Sequence, residues 1–265
     1  VKKVLFVGGD NRSIYAMDEL KQRGFFVSSY GLHENDYNSI SDFDVIVLPI
    51  PTTKDKKTVF CPISNRNILL SEIEEKAENR LIISCGYSFD GKRNVDVLSL
   101  DGYAFRNAVP TAEGAIAFAI DNTDFTLWKS KVLVIGNGRV AKVLISRLKN
   151  FGCDLTVSAR NDKDFSLLET EGIKYIDTSS VNGNSDYDII FNTIDVSIFR
   201  NLDNLGKTLL IDLSSKGCLD FNVAKEKNIR AYKLPGLPGK VAPKTAGKIL
   251  AETVIQTIKS QRCNN

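Results

Sequence analysis

The stretch Ser130–Arg160, SKVLVIGNGRVAKVLISRLKNFGCDLTVSAR, decides the fold. It reads as a strand, a glycine turn, a helix and a second strand. The turn Gly136-Asn137-Gly138-Arg139-Val140-Ala141 has the GxGxx[GA] spacing. It stands where that spacing carries meaning, after a strand and before a helix. Gly136 permits the tight turn, Gly138 lets the backbone approach a pyrophosphate, and Ala141 lets the helix sit close to the sheet. The helix start, at Arg139 and Val140, adds backbone amides and partial positive charge for phosphate oxygens. A dinucleotide site is expected here; the competing reading is a structural turn in an α/β protein.

The end of the second strand chooses between the two nicotinamide coenzymes. An NAD site places an acid about 20 residues past the first glycine, where it holds the ribose diol. Here Ser158 and Ala159 occupy that place, and Arg160 follows. A guanidinium pairs with a 2′-phosphate through charge-assisted hydrogen bonds. Ser158 and Asn161 are expected to add neutral ones, so NADP is the expected coenzyme. Asp162 lies beyond the strand. Two further strand ends, Asn192-Thr193-Ile194 and Leu213-Ser214-Ser215, are expected along the coenzyme's path, because ligands of open α/β sheets bind at the carboxyl edge. Ile194 is suited to pack against a flat ring.

Outward from this stretch the pattern repeats. "GIKYIDT", "YDIIFNTI", "KTLLIDLSS" and "IRAYKLPG" supply the remaining strands of the second half. The first half opens with "KKVLFVGGD", an apolar run ending in glycines, then a helix closed by Gly24 and the β-rich "FFVSSYG". "FDVIVLPIP" is a buried strand, "NRNILLSEIEEKAEN" a helix with Asn65 as its cap, and "RLIISCGYS" a strand ending in the Gly86-Tyr87 loop. Short strands around Val95–Leu98 and Tyr103–Phe105 are expected to complete a small parallel sheet. "NAVPTAEGAIAFAIDNTD" reads as a linker helix over 110–122, with Pro110 in its first turn and Glu113 near its positive end.

The fold class is therefore α/β, two Rossmann-like doubly wound parallel-sheet domains joined by helices. The expected divisions are 1–124 for a flavodoxin-like substrate domain and 125–240 for the NADP-binding domain. A C-terminal helix over 241–265 is expected to return to the first domain.

Composition narrows the function classes. The chain has 265 residues, 43% hydrophobic and 25% charged, with a net charge of +3. That charge is too small to imply a nucleic-acid partner, and the lysines and arginines are scattered among acids. No apolar run approaches the ~20 residues of a membrane span. The start lacks the cleavage pattern of a signal peptide, so a cytoplasmic protein is expected. The five cysteines are widely spaced with no CxxC pair, which suits reduced thiols and gives no metal site. His33, the only histidine, lies in the polar "GLHENDYNS" and reads as a surface loop residue, so the chemistry is expected to use other groups.

Three segments carry a family resemblance: "NAVPTAEGAI" (107–116), the "GNGRVA" turn with "SAR" behind it, and "LPGLPGKVAPKTAG" (234–247). Together they resemble the dipicolinate synthase A-subunit family over nearly the whole chain, and the Gly8-Gly9-Asp10-Asn11-Arg12 turn also fits. The Pro/Gly/Lys segment is the most specific, since the glycine turn belongs to many dehydrogenases. The resemblance implies a two-domain build similar to D-2-hydroxyacid dehydrogenases. It implies NADP-linked oxidation of dihydrodipicolinate to dipicolinate in the mother cell of a sporulating bacterium. A flavoprotein-like second subunit is the implied partner, and a homo-oligomer is expected. The chain departs from the family pattern at Gly217-Cys218, where a Pro-Gly-Gly run is expected. It also lacks the histidine acid/base of hydroxyacid dehydrogenases, which argues against their reaction.

A small ring with two carboxylates needs cations and amides. Pro235, Pro238 and Pro243 stiffen the third segment, Gly239 lets backbone approach a ligand, and Lys240 and Lys244 are the available charges. Free amides near Thr245 and Ala246 are expected at the start of the last helix. Arg12 is expected to pair with one carboxylate, and Asn107 and Thr111 to hydrogen-bond one. Asp10, Gly86 and Tyr87 complete the substrate set. Glu113 is the first candidate base, with Tyr87, Asp10 and the lysines behind it. Two other readings stay open: a non-catalytic NADP-binding protein serving a flavin partner, and another NADP-linked reductase.

Overall fold

The computed structural model describes residues 2–263 except 34, 35, 37, 38, 182–185 and 200. The first elements are β1 (Lys3–Val7), α1 (Asn11–Gln22), β2 (Phe26–Tyr30), β3 (Val45–Val47), α2 (Leu70–Ala77), β4 (Leu81–Ser84), β5 (Asn94–Asp96) and α3 (Asp101–Asp121). There follow β6 (Lys131–Ile135), α4 (Arg139–Phe151), β7 (Asp154–Ala159), α5 (Asp162–Thr170), β8 (Lys174–Asp177), β9 (Ile189–Asn192) and β10 (Leu209–Asp212). The last are α6 (Phe221–Glu226), β11 (Ala231–Lys233), α7 (Leu237–Val241) and α8 (Pro243–Cys263). Contacts divide the chain into two compact units, Val1–Asn107 with Pro238–Asn265, and Ala108–Leu237.

The first unit is a five-stranded parallel sheet in the order β2-β1-β3-β4-β5. Its central strands are apolar on both sides because helices cover both faces. Alternation along β1 sends Val4 and Phe6 to a cluster with Leu20 of α1 and Leu250 and Val254 of α8. Leu5 and Val7 go to the opposite cluster, with Leu70 and Ile73 of α2. Each fully buried side chain of this size contributes about 1.5–3 kcal/mol. A Cβ at Gly247 would stand 2.6 Å from the Arg12 carbonyl and 3.0 Å from the Ala16 amide, so α8 crosses α1 with their backbones in near contact.

The second unit is a six-stranded parallel sheet in the order β11-β10-β9-β6-β7-β8. Val132 and Val134 of β6 pack with Ala141, Leu144 and Leu148 of α4 on one face. Leu133 and Ile135 pack with Phe199, Leu205 and Cys218 on the other. In each unit the chain reverses its direction of winding beside the first strand, between β1 and β3 and between β6 and β9. Such switch points leave a crevice at the carboxyl ends of the strands.

Several local expectations fail. Tyr103–Phe105 is not a strand but the start of α3. Tyr103, Ala108, Ala112, Ala115, Ile116 and Ala119 are buried at helical intervals, and that period wins. Pro110 and Glu113 therefore lie inside a helix that begins at Asp101, not in its first turn. Near Val95–Leu98, β5 ends at Asp96 and a single 3₁₀ turn follows over Val97–Ser99. Asn65 does not cap α2. It has φ +53°, and its amide is bound to Cys61, while α2 starts at Leu70 without a side-chain cap. The compact units divide inside α3, after Asn107 and not near 125, whereas the second division, after Leu237, falls close to the expected 240. The alanine face of the linker helix packs into the second unit's core, which draws it out of the first domain.

Candidate functional site

The glycine turn of the second unit lies at the switch between β6 and β9. The Gly136 amide donates to the Ser158 carbonyl at 3.0 Å. Gly136 has φ +102°, and a Cβ there would stand 2.6 Å from Ile194 Cγ2 and from Thr193 Oγ1. The turn is thus shut on its sheet side. Gly138, the N-cap of α4, is different: a Cβ there would meet no atom within 4 Å. The turn is open on its outer side, beside the first amides of a 13-residue helix.

A groove of about 460 Å³ runs along this open side, lined by Gly136, Gly138, Arg160, Asn161 and Ile194 among others. It shares Arg160, Thr178 and Val196 with a second cavity of about 780 Å³. There Val181, Val196 and Ile198 supply apolar surface and Ser179 and Asn201 polar groups. Arg160 is exposed just past β7. Its charge is felt by Asp177, whose carboxyl is held below the usual range mainly by the Ser179 hydroxyl and amide and also by Arg160.

Other residues expected to touch the coenzyme are used by the protein itself. Ser158 is fully buried, and its hydroxyl lies 3.2 Å from that of Thr178. Its hydroxyl is thus engaged with Thr178, which itself lines the groove. Asn161 caps α5 by accepting from the Asp164 amide at 2.9 Å, and its amide group donates to the Asp164 carboxylate. Asn137 donates to the same carboxylate at 2.9 Å. Asp164, absent from the residues the sequence marked, therefore ties the glycine turn to α5.

Asn192 is fully buried and donates to the Asp212 carboxylate at 2.8 Å and to the Ile194 carbonyl. Asp212 also accepts from the Ser214 and Cys218 amides, each at 2.9 Å, and so fastens the loop after β10. This explains how Gly217-Cys218 is tolerated. Gly217 takes φ +103°, and burial, then Asp212, push the Cys218 thiol pKa up. Thr193 donates to the Ile135 carbonyl, and the Leu213 amide to the Asn192 carbonyl. The Ser215 amide and hydroxyl both bind Asp195. Asp212 ends β10 and Asp195 stands three residues past β9, and position alone would have found them.

The first unit fills its equivalent turn. Asp10 caps α1, and Arg12 donates from Nε to Oδ1 at 3.0 Å and from Nη2 to Oδ2 at 2.7 Å of Asp10. Arg12 Nη2 also binds the Ile50 carbonyl beyond β3, so the guanidinium spans the β1–β3 switch. A Cβ on Gly239 would lie 2.8 Å from Arg12 Nε and 3.0 Å from Asp10 Oδ2. Backbone of the Pro/Gly/Lys segment thus rests directly on this pair.

The remaining expected residues are scattered. The Gly86 amide binds Asp96 at 3.0 Å, and Tyr87 meets Phe89 edge-on at 4.9 Å in an apolar cluster. Asn107 and Thr111 are half-buried on α3. Lys240 in α7 and Lys244 in the first turn of α8 are exposed. The Ala246 amide is not free, because it donates to the Ala242 carbonyl at 3.0 Å. Glu113 is exposed in the second unit, 3.5 Å from Arg147 Nε. A surface ion pair in mid-helix is poor ground for a general base, so Glu113 is withdrawn from that role. Among the described residues no cluster of histidine, cysteine or carboxylates is arranged for a metal, and no helix is long and apolar enough to cross a membrane.

The groove fits a nicotinamide dinucleotide: an unobstructed glycine, a helix start and a flanking cation. The family model of the N-terminal domain of the dipicolinate synthase A-subunit matches residues 3–91. The dipicolinate synthase A-subunit of Bacillus subtilis (strain 168) is 30% identical over 95% of this chain and 94% of its own. The crystal structure of the A chain of dipicolinate synthase from Bacillus subtilis superposes with TM-score 0.85 at 28% identity, over 100% of this chain and 98% of that one. D-lactate dehydrogenase from Escherichia coli shares the fold, with TM-score 0.63 at 14% identity over 99% and 97% of the two chains. The architecture is thus that of D-2-hydroxyacid dehydrogenases, and by sequence the chain belongs to the dipicolinate synthase A-subunit family.

Proposed function

We propose that the chain is the NADP-linked oxidoreductase subunit of a dipicolinate synthase. It oxidises dihydrodipicolinate to pyridine-2,6-dicarboxylate, with a flavoprotein-like second subunit, in the cytoplasm of a sporulating mother cell. The observation that carries this reading is the open turn at Gly138 beside the exposed Arg160, in a chain of this family. NADP, when bound, supplies the acceptor for a hydride from a ring carbon, and a proton is released as the ring becomes aromatic.

The chain's own residues bind and orient. The α4 amides receive the pyrophosphate, and Arg160 the 2′-phosphate through paired hydrogen bonds. Val181, Val196 and Ile198 offer apolar surface for the adenine, and Ile194 for the nicotinamide. Arg12, with two edges taken by Asp10 and Ile50, keeps Nη1 for a substrate carboxylate. Lys240 and Lys244 are further cations for the second carboxylate. Aromatisation of the ring supplies driving force, so positioning and exclusion of water are the protein's share.

One observation favours a second reading. Glu113 is engaged with Arg147 and Asp10 with Arg12, which leaves neither carboxylate free as an acid or base. On that reading the chain binds NADP for a flavin partner and performs no chemistry itself. The purified full chain, mixed with NADP and fresh dihydrodipicolinate without any partner, separates the two. Formation of reduced nicotinamide together with pyridine dicarboxylate supports the enzyme. Coenzyme binding without turnover supports the partner role, and no binding of either coenzyme defeats both.

A further inference from the structure

Tyr103 lies in the first turn of α3 and is 1% exposed, among the largest fully buried side chains of the protein. It packs in the cluster that holds Cys85, Val47 and Leu250. Its hydroxyl is buried and has no hydrogen-bond partner among the described residues. A buried donor without a partner is costly, and such groups call for a specific explanation.

The surroundings of this hydroxyl supply one. The groups that act on it electrostatically, after burial itself, are Cys85, Arg12, Asp10 and Asp96. Each of the four stands at the carboxyl edge of the first sheet or just beyond it: Asp10 and Arg12 after β1, Cys85 after β4, Asp96 at the end of β5. Arg12 is itself 5% exposed, and its Nη1 has no partner among the described residues. Packing brings the two groups to one place: Tyr103 shares its apolar cluster with Cys85 and Ile50, Cys85 is hydrogen-bonded in both directions to Thr52, and Arg12 holds the Ile50 carbonyl two residues before Thr52. Burial, the largest cause, raises the Tyr103 pKa, so the phenol stays neutral and donates throughout the working range.

We propose that Tyr103 Oη and Arg12 Nη1 together receive one carboxylate of a small anionic ligand, the phenol as inner donor and the guanidinium as outer cation. The inference rests on the reading of the first unit as the substrate unit and adds to it a binding residue that the sequence motifs did not mark. Because the hydroxyl is closed from solvent, the side chains that cover it shift when the ligand enters. Asp10 keeps its hold on Nε and Nη2, so the guanidinium need not break its existing bonds to accept the ligand at Nη1.

The test uses the full chain and pyridine-2,6-dicarboxylate as probe, with calorimetric titration and thermal melting of wild type, Tyr103→Phe and Arg12→Lys. Tyr103→Phe is expected to melt within about 3 °C of wild type, to bind NADP unchanged, and to bind the probe on the order of 10-fold more weakly. Pyridine-2-carboxylate, with one carboxylate fewer, should show a different loss from the probe. If Arg12→Lys weakens the probe and Tyr103→Phe does not, the role of Tyr103 is overturned while the substrate-unit reading stands. If wild type does not bind the probe, both fall. If probe binding is lost only together with a large drop in melting temperature, Tyr103 is structural and the proposal is overturned. Should Tyr103→Phe fail to fold, a crystal structure of wild type with the probe decides: a carboxylate oxygen within hydrogen-bonding distance of Oη supports the assignment, and a greater separation ends it.

Discussion

The two units carry the same strand–turn–helix device and use it in opposite ways. After β6, Gly138 opens onto space that no protein atom enters within 4 Å of a Cβ position. After β1, the helix start is occupied: Asp10 caps α1 and Arg12 folds back on it. Gly9 has φ +118°, and a Cβ there would stand 2.1 Å from Ser13 Oγ. The first turn has closed on a guanidinium of its own, so it presents a cation where the second leaves open space. On the proposed function, similar backbone plans suit different anions: a pyrophosphate needs room and N–H groups, whereas a carboxylate needs a fixed positive charge.

The largest expected effect breaks the closed turn. Arg12→Leu strands Asp10, whose side chain is only 25% exposed. Loss of one partner of such a pair costs about 3–5 kcal/mol, and the value here should lie near the lower end because Asp10 keeps some water. Urea unfolding monitored by circular dichroism measures it. A loss below about 1 kcal/mol would mean that the pair does not hold the turn.

Next is the cation of the open turn. Arg160→Ala should weaken NADP by about 10- to 100-fold, as expected for a lost charged hydrogen-bond pair. NAD affinity should change little. Equal losses for both coenzymes would remove the 2′-phosphate assignment.

A pair of matched substitutions sharpens the contrast. Gly9→Ala should cost about 1–3 kcal/mol of stability, through strain and overlap, and leave NADP binding alone. Gly138→Ala should change stability by about 1 kcal/mol or less and weaken NADP on the order of 10-fold, by placing a methyl group where a phosphate must approach. The same effect from both would erase the distinction between the turns.

The smallest effect concerns the loop over 214–216. Partial burial raises the Asp195 pKa, but the Lys216 amide and the Ser215 hydroxyl and amide outweigh it, so the carboxyl is held below the usual range. A depressed pKa stabilises the folded loop above the unfolded value of about 4. That contribution fades as pH falls through the lower folded value. Protection of the Ser215 and Lys216 amides, compared with Asp195→Asn, should therefore decline only in acid. Loss at neutral pH would contradict the assignment.

The parts of the fold that could be read in the chain were those with an unmistakable period. The β6–α4–β7 stretch combines continuous apolar strands, a glycine pair and a helix closed by Gly152 in the left-handed conformation. Each level points to the same answer. The start of α3 was hard to read because Tyr103–Phe105 is short and aromatic, and Pro110 looks like a helix beginning. Only packing of the alanine face decides that the helix starts earlier. That the glycines and Arg160 border one groove could be anticipated, because backbone conformation and net charge are local properties. What Ser158 and Asn161 bind within the protein was not legible, because a polar side chain serves whichever partner folding brings to it, here Thr178 and Asp164.

The amino-acid order alone determined two parallel α/β sheets, a dinucleotide-type glycine turn and, at the end of the next strand, an arginine with no acid before it. Those follow from period, glycine placement and charge, which need no knowledge of distant contacts. Tertiary structure alone decided that Arg12 is clamped by Asp10 beneath Gly239, that Glu113 faces Arg147, and that Tyr103 keeps an unpaired hydroxyl. Hydrogen bonds and ion pairs act over a few ångströms, and residues far apart in the chain reach that range only after the core has packed.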